Sequence, residues 1–375
     1  MRILSPAPIG LMLVPCLVPT VAFAQTTAPA GRGFRMGFTG FPHDFTIEAV
    51  NEARAFAREH GDIIAHHIEG VPWAEVLADK PFSAELTRDW EGKKQGKAAK
   101  GKVYLAISPG RGDLKEGEKS AAIPKELKGK SYDDPQVKKV YLAYCRRMIE
   151  FFKPDYLAIG IEVNEIQSAG AAKWKAYAAL HRYVYQELKK THPDLPIFAS
   201  FTLHNILNAS GSKREAMVAA CEEIMPQCDL IAISFYPFLH SGTTDIDGCL
   251  KRLTDRFDKF NKPYAFVETG EAAERLQFPT TKQVISGTAV KQAAFYESLL
   301  GFAHKHDTLF VICFVSRDYD ALWEKIKATS PEVFMAWRDC GLVDEAGKPR
   351  PALAVWDRYF HMPLRRRCAN LLPRL

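Results

Sequence analysis

The sequence predicts an α/β fold, a single (β/α)8 TIM barrel with long βα loops, and three observations carry that expectation. Eight short apolar runs recur between residues 34 and 316. Amphipathic stretches alternate with them, and strands that alternate with helices form parallel sheets joined by crossovers. The first run leads into "GFTGFPHDF", which lacks the GxGxxG phosphate turn that an open doubly wound sheet commonly carries there.

The first strand is "FRMGFTG" (34–40), followed by the helical pattern "TIEAVNEARAFAREHG" (46–61). The second is "DIIAHHIEG" (62–70). The third is "KVYLAIS" (102–108), with a helix over 134–154 after it. The fourth, "YLAIGIEVNE" (156–165), precedes a helix over 171–194. The fifth, "PIFASFT" (196–202), precedes one over 212–228. The sixth, "DLIAISFYP" (229–237), and the seventh, "YAFVETG" (264–270), flank a helix over 249–263. A last helix, 289–307, leads to the eighth strand, "LFVICFVS" (309–316). Each helical pattern repeats apolar residues at three- and four-residue steps and ends in Gly, Pro or a charged turn.

The chain has 375 residues, 47% of them hydrophobic, enough for one large core. Its formal charge of +6 is spread over helical faces and one loop, "GKKQGKAAKGK" (92–102), so no nucleic-acid partner is expected. Residues 1–24 read as a signal peptide. Arg2 precedes an apolar run that ends in Ala22-Phe23-Ala24, and Pro15 and Pro19 interrupt it too soon for a membrane span. The remaining organisation is a linker (25–33), the barrel (34–362) and a basic C-terminal tail (363–375). The mature protein is expected to be secreted or periplasmic. Cleavage removes Cys16 and leaves seven cysteines, an odd number, so at least one thiol stays reduced. Cys221 and Cys228 are the pair that could bridge around a helix end, and no cysteine spacing reads as a zinc site.

In a parallel barrel one strand face meets the helices and the other fills the interior. In the fourth strand, alternation puts Leu157, Ile159, Ile161 and Val163 on the helix side. Ala158, Gly160, Glu162 and Asn164 then point inward, with Glu165 at the strand's end. In the sixth, Ala232, Ser234 and Tyr236 point inward; in the fifth, Ser200, Thr202 and His204 line up; in the seventh, Phe266 and Glu268 share a face. Polar groups therefore gather at the carboxyl ends of strands four to seven, the rim where barrel enzymes place their active sites. Carboxylates on strands four and seven face each other across that rim, the arrangement glycosidic cleavage needs.

"VNE" closing strand four, "FYP" closing strand six and "VETG" closing strand seven resemble the retaining (β/α)8 glycoside hydrolases of clan A, nearest the endo-β-1,4-galactanase-like group. That resemblance implies Glu165 as acid/base, Glu268 as nucleophile, Asn164 as a ligand for the sugar 2-hydroxyl and Tyr236 as partner of Glu268. It implies an oligo- or polysaccharide substrate and no cofactor. The sequence departs from the clan in three places. Strand two has no arginine, strand eight has no tryptophan, and Glu162 is an additional carboxylate.

Other candidates for substrate contact are His43 and Asp44 after strand one, Trp73 after strand two, His204, and Asp318 after strand eight. Glu162 is expected one layer deeper, paired with His66, His67 or Arg317. His66 and His67 are adjacent on a strand and so point to opposite faces, which argues against a shared metal. No metal is expected. Two other classes stay open: a carbohydrate-binding barrel without activity, and a metal-dependent hydrolase.

Overall fold

The computed structural model describes residues 31–110, 114, 123–240 and 245–365. The expected signal peptide (1–24), most of the expected linker and most of the expected basic tail lie outside these residues. The barrel strands are β1 (Arg35–Thr39), β2 (Ile63–Ile68), β3 (Lys102–Ile107), β4 (Tyr156–Ala158), β5, β6 (Ile231–Phe235), β7 (Tyr264–Thr269) and β8 (Thr308–Cys313). Strand β5 comes in two pieces, Ile197–Phe198 and Ser200–Thr202. The first piece pairs with β4 and the second with β6, all in parallel. Strand β1 pairs with both β2 and β8. The two edges of the sheet are thus halves of one strand, separated only by Ala199, and the ring closes there. This is the barrel that the alternation of runs predicts.

Six helices lie where periodicity places them: 47–59, 135–152, 171–191, 211–224, 246–257 and 289–305. Four of the six start on side-chain caps that satisfy otherwise unpaired N–H groups. Thr46 accepts from Ala49, Asp134 from Gln136, Asp245 from Gly248 and Thr288 from Lys291. Helices 84–94 and 351–360 complete the outer layer. Phe235 and Phe266 meet that layer through Phe295 and Phe302, at ring distances of 6.0 and 5.7 Å.

The barrel interior is filled. The Tyr104 ring, 1% exposed, stacks 5.8 Å from Phe198 and lies 5.2 Å from Phe310, which Tyr156 approaches at 4.8 Å. A side-chain filling of this kind makes the barrel a core rather than a channel. At the amino ends of the strands one device recurs. An aspartate just before an even-numbered strand accepts the N–H of the odd-numbered strand beside it. Asp62 takes Met36, Asp155 takes Val103 and Asp229 takes Ile197, at 2.9, 2.8 and 2.8 Å. The linker ends inside this face rather than before it. Arg32 is buried, paired with Asp62 at 2.8 Å, and its N–H donates to Pro363 O at 3.0 Å.

At the opposite rim a second apolar cluster raises a wall. Leu276 and Ile285, from the hairpin of Arg275–Gln277 with Val284–Ser286, pack with Tyr319, Leu322 and Met335 of the loop after β8. Cys221 and Cys228 do not bridge; no disulfide forms among the described residues.

Candidate active site

Strand β4 stops at Ala158, seven residues earlier than the alternation implies. The expected inward row of Gly160, Glu162 and Asn164 therefore does not form as a strand face. The reason is local. A Cβ on residue 160 would stand 1.9 Å from the Tyr177 hydroxyl, so the backbone there is pressed against that helix and only glycine fits. Glu162 then takes a left-handed conformation, φ 51°, and its N–H donates to Ser200 Oγ at 2.9 Å. A short helix, Asn164–Ser168, starts directly after this turn.

Asn164 is 0% exposed and bonds chiefly to β5, with a long contact from its Nδ2 to Glu165 Oε1 at 3.5 Å. Its Oδ1 accepts the Thr202 N–H at 2.8 Å and its Nδ2 donates to Thr202 Oγ1 at 2.8 Å. An amide side chain thus makes the ladder bond that β4 would have made had it continued. Glu165, next in the helix's first turn, is half-buried. Its Oε1 accepts from Thr202 Oγ1 at 2.7 Å and from Asn205 Nδ2 at 2.8 Å. Among the described residues Oε2 has no such donor. With every donor on Oε1, Oε2 is the oxygen that can carry a proton.

Glu268 reaches the interior through a β-bulge. Ile233 pairs with Phe266, but Ser234 pairs with Glu268, so Val267 is an extra residue in β7. A bulge puts two residues opposite one and turns the next side chain in a new direction. Phe266 and Glu268 therefore do not share a face, contrary to the alternation. Phe266 packs on the helices, and Glu268 turns to the mouth. Its Oε1 accepts from the Tyr236 hydroxyl at 2.5 Å, and its Oε2 lies 3.3 Å from His67 Nδ1. Burial, with the charge of Glu268 second, raises the Tyr236 phenol well above its ordinary range, so it stays a donor. Burial lowers His67 to about 4, so the imidazole meets the carboxylate as a neutral donor.

Strand register sets the two carboxylates at one level. Thr202 pairs with Ser234, and Ser234 with Glu268, a row across β5, β6 and β7. Glu165 is hydrogen-bonded to the first residue of that row and Glu268 is the last.

The other candidates divide. His204 is buried at the rim, in a helix that starts at Leu203 rather than on the expected strand face. Its Nδ1 accepts the Tyr236 N–H at 3.4 Å, which puts its proton on Nε2. Trp73 is 1% exposed and packs near Tyr141, so it offers no ring face to a sugar. His43 sits 3.8 Å from Glu52, and Asp44 is bound to Lys325, both on the outer rim. Asp318 is 2% exposed, held by the Gly341 N–H and by Arg350, which leaves it no access to substrate. His66 faces outward onto Phe152 while His67 faces inward, as adjacent strand residues must.

Three groups at the site escape a reading by strand alternation: Asn205, His67 as partner of Glu268, and Trp337. Asn205 stands three residues after Thr202 in "TLHN", one helical turn on, a spacing that only the early helix start makes meaningful. Trp337, from the loop after β8, sets its ring 5.6 Å from that of Tyr236 at 80° and is half-buried.

Glu162 is half-buried rather than a layer deeper, and its charge reaches the buried phenols of Tyr104 and Tyr236. Gln keeps the shape of that side chain and removes only a charge that solvent partly screens. Glu162→Gln is therefore expected to change stability by less than about 1 kcal/mol, read from chemical denaturation. A larger loss would restore a structural role.

No family model matches the chain, and no curated protein matches it. Solved structures do. GH5_18 from Streptomyces cattleya, in complex with GlcNAc, superposes with a TM-score of 0.62 at 14% identity, covering 90% of this chain and 83% of that one. The exo-β-1,4-mannosidase Op5Man5 from Opitutaceae bacterium strain TAV5 gives 0.59 at 13%, over 88% of this chain; the chain spans 59% of that protein's length. Xylanase 10B from Thermotoga maritima gives 0.55 at 11%, covering 88% and 95%. At these identities the likeness shows the fold alone. It is the barrel shared with clan A glycoside hydrolases.

Proposed function

We propose that this chain is a glycoside hydrolase that cleaves a β-linked glycan by double displacement with retention. One observation carries the reading. Two carboxylates occupy one rim level, each held by a different set of neutral donors: Thr202 and Asn205 on Glu165, Tyr236 and His67 on Glu268.

A carboxylate oxygen of Glu268 forms a bond to the anomeric carbon as the bond to the leaving oxygen breaks. Glu165 delivers a proton from Oε2 to that oxygen. Water then attacks the glycosyl-enzyme, Glu165 takes its proton, and Glu268 is released. Tyr236 and His67 keep the attacking carboxylate aligned, and both hold it without a permanent positive charge. That leaves it more nucleophilic than a carboxylate clamped by arginine. The half-exposed Trp337 ring supports the apolar face of the sugar. Residues 1–24 support an exported site of action. The galactanase-like resemblance makes β-1,4-galactan one of the first substrates to try.

The test is a screen of aryl β-glycosides and β-glycans, with the first-formed product anomer followed by proton NMR. The β-anomer is expected. The α-anomer would sink double displacement, and no cleavage across the panel would sink the activity.

A further inference from the structure

Three carboxylates, not two, belong to this mouth. Glu162 stands three residues before Glu165, and the Glu165 N–H donates to the Glu162 carbonyl at 3.1 Å, so one tight turn carries both. Ser200, two residues before Thr202 in β5, anchors that turn. Its Oγ accepts the Glu162 N–H and its carbonyl accepts the Val163 N–H, each at 2.9 Å. The strand that aims Glu165 thus places Glu162 as well. Glu162 holds a left-handed φ of 51°, which glycine adopts freely and a glutamate does not. Such backbone at a non-glycine residue gathers at functional sites.

The side chain turns into the ring and stays open to solvent. Burial, then the charge of Glu268 and then that of Glu162, raises the phenols of Tyr104 and Tyr236 well above their ordinary range. Tyr104 belongs to β3 and Tyr236 follows β6, three strands away, so a charge that reaches both lies inside the ring. Glu162 nevertheless keeps part of its surface exposed. Asn164, the residue that the resemblance gives to a sugar hydroxyl, keeps none. The mechanism above uses Glu165 and Glu268 and leaves this third carboxylate without a task. An ionised carboxylate only accepts hydrogen bonds, and a pyranose offers hydroxyl donors in adjacent pairs that suit its two oxygens.

We propose that Glu162 is a substrate-binding residue, whose carboxylate accepts two adjacent hydroxyls of the sugar that Glu268 attacks and so selects which pyranose the site takes. A site built to hydrogen-bond a hydroxyl strongly rejects the analogue that lacks it. The placing of that sugar rests on the glycosidase reading above; the test reads binding, which needs no cleavage.

Calorimetry on the Glu165→Gln protein, with methyl β-glycosides of glucose, galactose, mannose and xylose, finds the sugar bound most tightly. Adding Glu162→Gln should raise the Kd of that sugar about tenfold or more. Among its monodeoxy analogues, two that lack adjacent hydroxyls should already bind weakly and lose little further on the substitution. The remaining analogues should lose as much as the parent sugar. A residue that only supported the fold would weaken every ligand alike. Glu162→Gly, which suits the left-handed backbone, should keep the melting temperature and repeat the pattern. The proposal is overturned if the affinity survives both substitutions or if all analogues lose equally; binding of no sugar overturns it together with the sugar reading. The expected pattern in a chain whose wild type cleaves none of these ligands supports the binding role and refutes the hydrolase.

Discussion

Glu268→Ala is expected to lower turnover of an aryl β-glycoside by about 10⁴-fold, the order seen when a covalent nucleophile is removed. The bulge at Val267 aims this carboxylate at the mouth, and Tyr236 and His67 hold it there. No other carboxylate among the described residues shares that pair of donors. Added azide should restore part of the rate. Azide enters the space the side chain vacated and bonds to the anomeric carbon as the aryl oxide leaves, giving the α-glycosyl azide. Folding should be intact, because the residue is half-buried at the rim and not in the core. Wild-type rates in the variant, or rescue with the β-azide, would show that the nucleophile lies elsewhere.

Glu165→Ala should behave differently with different leaving groups. A dinitrophenolate needs little protonation, so the first step on that substrate should slow by less than about tenfold. An unactivated glycan should lose about 10²-fold or more. The second step also slows, because water loses its base, and azide should relieve it by bonding on the β face. Burst kinetics separate the two steps. The structure sharpens the expectation: the donors to Glu165 all fall on Oε1, so the proton must come from Oε2. Thr202→Val should weaken the aim of that oxygen and cost less than loss of the carboxylate. Equal losses on activated and natural substrates would count against an acid role for Glu165.

Much of this site is legible in the sequence, and the rest fails for identifiable physical reasons. Strand order and helix positions come from hydrophobic period, which a buried parallel sheet enforces over many residues. Tyr236 and Ser234 come from alternation because β6 is regular through Phe235. Glu268 is found at the right end of the right strand, but the rule that leads there assigns its face wrongly. A one-residue bulge is a register event, and register depends on neighbouring strands that a single run of residues does not display. Glu162 and Asn164 fail as strand residues for another reason. Gly160 is pressed against Tyr177, a residue seventeen positions later, and that contact ends β4. Trp73 opens a short helix, Trp73–Leu77, and Asp318 sits in a loop, and at neither place does sequence pattern carry information on exposure. The structure buries both, one as a packing residue and one as the partner of Arg350.

Asn164 has a consequence for how such a site persists through descent. Residues that serve catalysis usually cost folding stability, and selection for a sturdier protein tends to erode them. Here the side chain next to Glu165 seals the gap between β4 and β5, with its oxygen on the Thr202 N–H and its nitrogen on the Thr202 hydroxyl. Losing it would strand the buried Thr202 N–H, a penalty of about 1–3 kcal/mol, and would leave the Thr202 hydroxyl with Glu165 alone. A lineage that no longer cleaved sugars would still be held to this asparagine by the need to close its ring. The Asn–Glu dipeptide is therefore a record of barrel closure as much as of chemistry. The residues around Glu268, which no strand pairing requires, are where drift after loss of activity would first show.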